Sequence, residues 1–151
     1  MTRSSEGSVP GKEQKMEATK HQNEDGTRSP AVPRFLRPAV MLRAEGATLL
    51  AISVLLYWVN GESWIMFALL LLVPDLSMLG YLAGPRVGAA IYNAFHVYPL
   101  PAAVGAFGLI GGSPLTIAVA LIWFAHIGMD RAVGYGLKYP TGPKDTHLGR
   151  V

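Results

Sequence analysis

The chain contains no cysteine, which excludes disulfides, thiolate metal centres and cysteine nucleophiles. Charge is scarce as well: Asp, Glu, Lys and Arg make up 15% of the residues, gathered mostly at the two ends. No stretch alternates apolar and polar residues with the period of a strand. The apolar stretches lack the amphipathic stripe that a soluble helix bundle would need. A basic face interleaved with aromatics is also missing, so the net charge of +3 does not point to nucleic acid as a partner. Near the start there is no apolar run with a small-residue cleavage site behind it, and no secretory signal is expected there.

What the chain does have is four long apolar segments, 38–59, 63–83, 87–110 and 114–137. A helix that crosses a bilayer needs about 20 mostly apolar residues, since each adds about 1.5 Å toward a hydrocarbon core about 30 Å thick. Helices are the only open-chain element that satisfies its own backbone in lipid. Short punctuation separates the segments: Asn60-Gly61, Gly84-Pro85, and Gly112-Ser113-Pro114, in which Ser113 is a ready N-cap and Pro114 suits the first helical position. Connections this short make consecutive helices antiparallel neighbours. The predicted fold class is all-α: a polytopic membrane protein of four antiparallel transmembrane helices within residues 34–137, with membrane lipids as its surroundings. Residues 1–33 are too polar to order themselves and read as a disordered cytoplasmic tail. Residues 138–151 form a second cytoplasmic tail.

Basic residues set the orientation. Arg34, Arg37 and Arg43 flank the first span, Arg86 lies between the second and third, and Arg131, Lys138, Lys144 and Arg150 close the chain; the other two connections carry only Glu62. The positive-inside rule then places both termini in the cytoplasm of a multi-pass inner-membrane protein.

Against this apolar background a few polar residues stand out: Asp75, Asn93, His96, His126 and Asp130, with Arg131 and Glu45 nearby. Counted at 1.5 Å per residue from the cytoplasmic ends, Asp75 lies about 12 Å in, His96 about 13 Å and His126 about 16 Å. Asn93 and Asp130 lie about 9–11 Å in, and Glu45 about 10 Å. Helices running in alternating directions thus deliver polar groups to one layer. A charged side chain left in lipid costs about 2.5–3.5 kcal/mol, so these groups must face one another. Spacing agrees: Asn93 and His96 are three apart, Tyr92 and His96 four apart, and His126 and Asp130 four apart, each pair on one helix face. Pro99 and Pro101 remove the donors for the Phe95 and Val97 carbonyls, and Pro74 does so for Leu70, so kinks are expected beside His96 and Asp75.

Three function classes follow. In the first, His96, His126 and Asp130, with Asp75 next, ligate a divalent metal such as zinc and support hydrolase-like chemistry; no HExxH signature accompanies them. In the second, the buried Asp and His groups serve proton-coupled transport of a small solute. In the third, the chain is a structural or accessory membrane protein, and an Asp–Arg or Asp–His network through residues such as Arg131 only fixes helix packing. The C-terminal segment Lys138-Tyr139-Pro140-Thr141-Gly142-Pro143 is turn-rich, and Asp145 and His147 follow it. It emerges below the polar layer and can fold back as a lid, with Asp145 and His147 as further candidate site residues.

Other residues carry packing roles. Gly128, Ala132 and Gly136 recur every fourth residue, as do Gly84 and Gly88, a spacing that lets helix backbones approach closely. Tyr57, Trp58 and Trp64 suggest an aromatic belt at the outer interface, and Trp123 lies deeper as a core filler.

The stretches PDLSMLGYLAGPRVGAAIYNAFHVYPLP (74–101) and HIGMDRAVGYGLKYPTGPKDTHLGRV (126–151) resemble a bacterial integral-membrane family catalogued as domain of unknown function 4260. The likeness covers about residues 40–151. It implies a helical membrane fold and draws the region from Asp130 to His147 into one motif, but it supplies no mechanism.

Overall fold

The computed structural model describes residues 37–150; the tail predicted over residues 1–33 lies outside them. The described chain is helical: α1 Pro38–Asn60, α2 Trp64–Leu71 running into a 3₁₀ segment Val73–Ala83, α3 Pro85–Phe95, α4 Pro99–Ile110, α5 Pro114–Val133 and a last 3₁₀ turn His147–Gly149. Among the described residues the only β-type pairing is an isolated bridge between Lys138 and Thr146.

Each boundary has a local cause. Pro38 opens α1, and Gly61 ends it in the left-handed region at φ 79°, its N–H bonded to the Trp58 carbonyl. The Ser63 and Ser113 hydroxyls accept the backbone N–H groups of Ile65 and Thr116 and so cap α2 and α5. At Pro74 the α-helical ladder loses a donor, and the chain tightens into the 3₁₀ form, with the Asp75 N–H reaching the Leu72 carbonyl at 3.2 Å. The tighter helix is also longer: at about 2.0 Å per residue in the 3₁₀ part and about 1.5 Å in α2, the combined element reaches about 34 Å, enough for a bilayer core.

The third predicted span is not one helix. It breaks over residues 96–98 into α3 and α4, because Pro99 and Pro101 cannot donate to Phe95 and Val97. The fourth ends at Val133 rather than at residue 137. Gly134 adopts φ 100°, and the N–H groups of Gly134 and Tyr135 both return to the Asp130 carbonyl at 3.1 and 2.7 Å.

The central element is α5. Helices α1, α2 and α4 pack against it, while α3 packs on the 3₁₀ segment. The α1–α5 crossing depends on two glycines facing each other. A Cβ on Gly128 would lie 2.7 Å from the Leu50 backbone nitrogen, and one on Gly46 would lie 2.6 Å from the Arg131 Cβ. The small-residue stripe therefore works between helices of one chain, but it stops at the helix end: Gly136 lies beyond α5 and packs against the His147 ring. Of the other pair, Gly88 receives the Tyr81 ring, whereas Gly84 sits in an open turn at φ 107°.

Large apolar side chains face outward. Leu82 and Ile110 are 88% exposed, and Trp58, Val59, Ile65, Leu69, Phe107 and Leu109 are exposed as well, while the buried positions of α5 include Ala118, Ala120, Ala125 and Gly128. Exposed apolar side chains in this number mark a surface that faces lipid or a partner rather than water. Three helices, Pro38–Asn60, Trp64–Ala83 and Pro114–Val133, are long and apolar enough to cross a membrane. These helices mark a membrane protein. The aromatic group around the α1–α2 turn is divided: Trp58 and Trp64 are exposed, but Tyr57 is fully buried, packs edge-on to Phe67 and donates its hydroxyl to the Ser63 carbonyl at 2.6 Å. Tyr57 is a core residue because its ring is covered by the start of α2.

Candidate metal centre

Three elements meet beside the break between α3 and α4. The 3₁₀ segment carries Asp75, His96 caps the C-terminal end of α3, and α5 presents His126 and Asp130 one turn apart. One ligand atom from each of the four lies within 4.8 Å of all the others. The two imidazole Nε2 atoms are 3.0 Å apart. His96 Nε2 is 3.7 Å from Asp75 Oδ1 and 3.7 Å from Asp130 Oδ2; His126 Nε2 is 3.7 and 3.8 Å from the same two oxygens.

Surrounding groups orient these donors. His96 Nδ1–H donates to the Tyr92 carbonyl at 2.8 Å; since a carbonyl only accepts, Nε2 is left with a lone pair toward the cluster. The Tyr92 ring stacks on the His96 ring at 3.6 Å, and its hydroxyl donates to Asp130 Oδ2 at 2.9 Å. One tyrosine thus positions both an imidazole and a carboxylate, as outer-shell partners of metal ligands do. His126 Nδ1 is buried and has no hydrogen-bond partner among the described residues. Burial is uneven: the His96 and His126 side chains are 4% and 0% exposed and that of Asp130 13%, but that of Asp75 is 43% exposed. The cluster is closed on the α5 side and open at Asp75.

The open side faces a cleft of about 680 Å³ whose walls include Asp75, Tyr92, Asp130, Lys138, Lys144 and Thr146. The 3₁₀ geometry shapes one wall, because side chains three apart eclipse at three residues per turn. Asp75, Met78 and Tyr81 form such a row, and Lys138 meets its far end: its ammonium is 3.5 Å from the Met78 sulfur and 5.8 Å from the Tyr81 ring centre. The same ammonium lies 4.0 Å from the centre of the Tyr92 ring. Burial pushes the Lys138 ammonium below the ordinary lysine range, with Asp130 and Asp75 acting in the opposite direction.

The remaining candidates stand elsewhere. Asn93 is turned about 100° from Tyr92 on the helix and clamps the C-terminal segment: its amide donates to the Lys138 carbonyl at 2.9 Å and its side-chain oxygen accepts the Lys138 N–H at 2.7 Å. Arg131 does not join an Asp–Arg network. Its guanidinium lies 5.0 Å over the Tyr98 ring, and among the described residues no carboxylate is within 4 Å of it. Glu45 is exposed on α1, where its neighbour Gly46 takes the position against α5. In the C-terminal segment, His147 Nδ1 accepts the Leu137 N–H at 2.9 Å and the His147 N–H returns to the Leu137 carbonyl at 3.0 Å. Asp145 accepts hydrogen bonds from Thr141 and from Arg150, whose Nε is 2.8 Å away. Neither residue supplies a cluster atom; both hold the segment in its fold.

Sequence reasoning did not single out Tyr92 as a site residue, although its place four before His96 is the available signal. The Asn93–Lys138 clamp carries no such signal, because it joins a side chain to a backbone forty-five positions away.

Neither the curated proteins nor the solved structures contain a match to this chain. The family model described as Domain of unknown function (DUF4260) matches residues 39–151, and the chain belongs to that family.

Proposed function

We propose that this protein is an integral membrane protein that holds a divalent cation, zinc or a similar ion, at Asp75, His96, His126 and Asp130. The supporting observation is the shape of the donor set. Five of its six edges run from 3.0 to 3.8 Å and the sixth, between the two carboxylates, lies within 4.8 Å, while a tetrahedral zinc with bonds of about 2.0–2.1 Å separates its ligands by about 3.3–3.4 Å. Three separate segments converge to make this shape, and an ion offsets the cost of placing two carboxylates together.

Three donors are held firmly: His96 by the Tyr92 carbonyl, Asp130 by the Tyr92 hydroxyl, and His126 by complete burial. Asp75 is the exposed fourth. Three fixed protein ligands beside an exchangeable position is the arrangement of catalytic rather than structural zinc. A water that took the place of Asp75 on the ion would have its pKa lowered toward about 7, and the released Asp75 carboxylate beside it would serve as proton acceptor. Hydrolase-like chemistry is the reading this supports. The Lys and Arg distribution supports an inner-membrane protein with both termini in the cytoplasm and the site in the cytoplasmic half. Reporter fusions at Gly61 and Gly112 should then report the outer face, and one at Gly84 the inner.

One observation favours an ion-free reading. A His126 Nε2–H donated to His96 Nε2 would satisfy the 3.0 Å contact without a cation, leaving a proton-holding or packing device suited to transport or to an accessory role. Elemental analysis and zinc titration of detergent-purified protein separate the two. Wild type should hold about one equivalent of metal and the His126→Ala, Asp130→Asn double variant none. Equally weak binding by both would defeat the metal reading.

A further inference from the structure

We infer that the cleft beside the cluster is a phosphate-binding site, in which a phosphoryl oxyanion bridges the metal and the Lys138 ammonium. This inference rests on the metal reading above and adds the chemical class of the ligand.

Access comes first. His96, His126 and Asp130 are buried, so an incoming molecule reaches the cluster past Asp75, through the cleft of about 680 Å³. That volume exceeds what a water or a bare ion needs.

Charge comes second. The cleft wall carries two carboxylates, Asp75 and Asp130, and two ammonium groups, Lys138 and Lys144. These cancel, and a divalent cation at the cluster then leaves a surplus of two positive charges for an anion to neutralise. Such a surplus in a partly dry cleft focuses its field on an entering anion.

Preorganisation comes third. Lys138 is not a free surface lysine: Asn93 holds its backbone on both sides, at 2.7 and 2.9 Å. Its ammonium rests on the Tyr92 ring, whose hydroxyl bonds the Asp130 carboxylate. Among the described residues no carboxylate lies within 4 Å of that ammonium, so its direct ion-pairing capacity is available to a ligand. A tetrahedral oxyanion has oxygens enough to meet a metal and an ammonium together, which a monodentate ligand does not. The phosphoryl group can belong to a soluble phosphate or to a lipid headgroup in the adjoining membrane.

Full-length protein in detergent, loaded with zinc, tests the inference by titration with inorganic phosphate. Lys138→Met keeps the length of the side chain and removes the charge. It should retain the metal and bind phosphate about tenfold more weakly, the loss of one charge-assisted hydrogen bond. Lys144→Met, which leaves Lys138 in place, should weaken binding less. Nanodiscs of phosphatidylcholine with and without phosphatidic acid identify the source: competition by phosphatidic acid assigns the site to a lipid headgroup, and its absence to a soluble phosphate. If wild type and Lys138→Met bind zinc alike and phosphate alike, the phosphate site is wrong and the metal reading stands. If wild type binds no zinc, both readings fall.

Discussion

The indole Nε1 of Trp123 donates to the backbone carbonyl of Phe95 at 2.7 Å, the same carbonyl that Pro99 leaves without an intrahelical donor. The Phe95 and Trp123 rings also stack, with centres 5.7 Å apart. A helix break inside an apolar layer exposes backbone groups that lipid cannot satisfy, and here a side chain from α5 makes good the loss. The break in turn lets His96 leave the helical path and reach His126. Trp123→Phe should cost about 1–3 kcal/mol, the penalty of a carbonyl left unpaired against lipid. Adding Pro99→Ala restores an N–H and should recover part of that loss. Thermal unfolding of the two single variants and the double variant checks this, and strictly additive effects would count against it.

How far the sequence reveals this arrangement depends on the kind of information required. The first, second and fourth spans follow from length and apolarity, quantities that the bilayer itself imposes, whereas the split of the third into two helices lies in its prolines. The convergence of Asp75, His96, His126 and Asp130 is legible because depth along a helix can be counted. Direction around the helix is harder to read. Asn93 and Arg131 lie at the same depth as the cluster and adjoin Tyr92 and Asp130 in sequence, yet about 100° of rotation per residue carries them to the Lys138 backbone and the Tyr98 ring. Pro74 signals a lost hydrogen bond, but not that the chain stays 3₁₀ as far as Ala83; that choice depends on α3 packing against the segment. The partner of the Phe95 carbonyl is a tertiary fact and carries no local pattern.

The α1–α5 crossing makes a second prediction. Gly128→Ala would place a Cβ 2.7 Å from the Leu50 nitrogen and 2.8 Å from the Gly46 carbonyl oxygen, and backbone atoms cannot step aside as a side chain can. Overpacking of this kind costs about 1–3 kcal/mol. Gly105→Ala, whose Cβ would meet only the Ala120 Cβ at 3.3 Å, should cost clearly less. Denaturation in one detergent ranks the two variants, and equal losses would show that α1 and α5 do not depend on this contact.

Metal affinity should follow how firmly each donor is held. Asp130, braced by Tyr92, should matter more than the exposed Asp75, so Asp130→Asn should weaken zinc binding more than Asp75→Asn does. Tyr92→Phe removes the hydroxyl but keeps the ring stacked on His96. Loss of such an outer partner typically weakens a metal site about 10–100-fold. Competitive zinc titration against a chelator measures all three, and an unchanged affinity in Tyr92→Phe would exclude the hydroxyl as a positioning group.

The C-terminal segment makes a prediction about acid. Thr141 and Arg150 bond the Asp145 carboxylate, and these hydrogen bonds, that of Arg150 foremost, hold its carboxyl below the usual carboxylate range. A depressed folded value means that the unfolded segment takes up its proton first as the pH drops. The contribution of Asp145 to holding the segment is therefore complete above the ordinary aspartate value of about 3.9. It declines as the pH falls below that and is gone once the pH has passed the depressed folded value. Amide exchange at Tyr139, whose N–H donates to the Asp145 carbonyl at 2.9 Å, reports the change. Protection should hold steady through neutral pH and fall only in that acid window, after correction for the intrinsic exchange rate. Arg150→Ala should move the window up toward the ordinary carboxylate range. A window unmoved by that substitution would show that the arginine does not set the Asp145 ionisation.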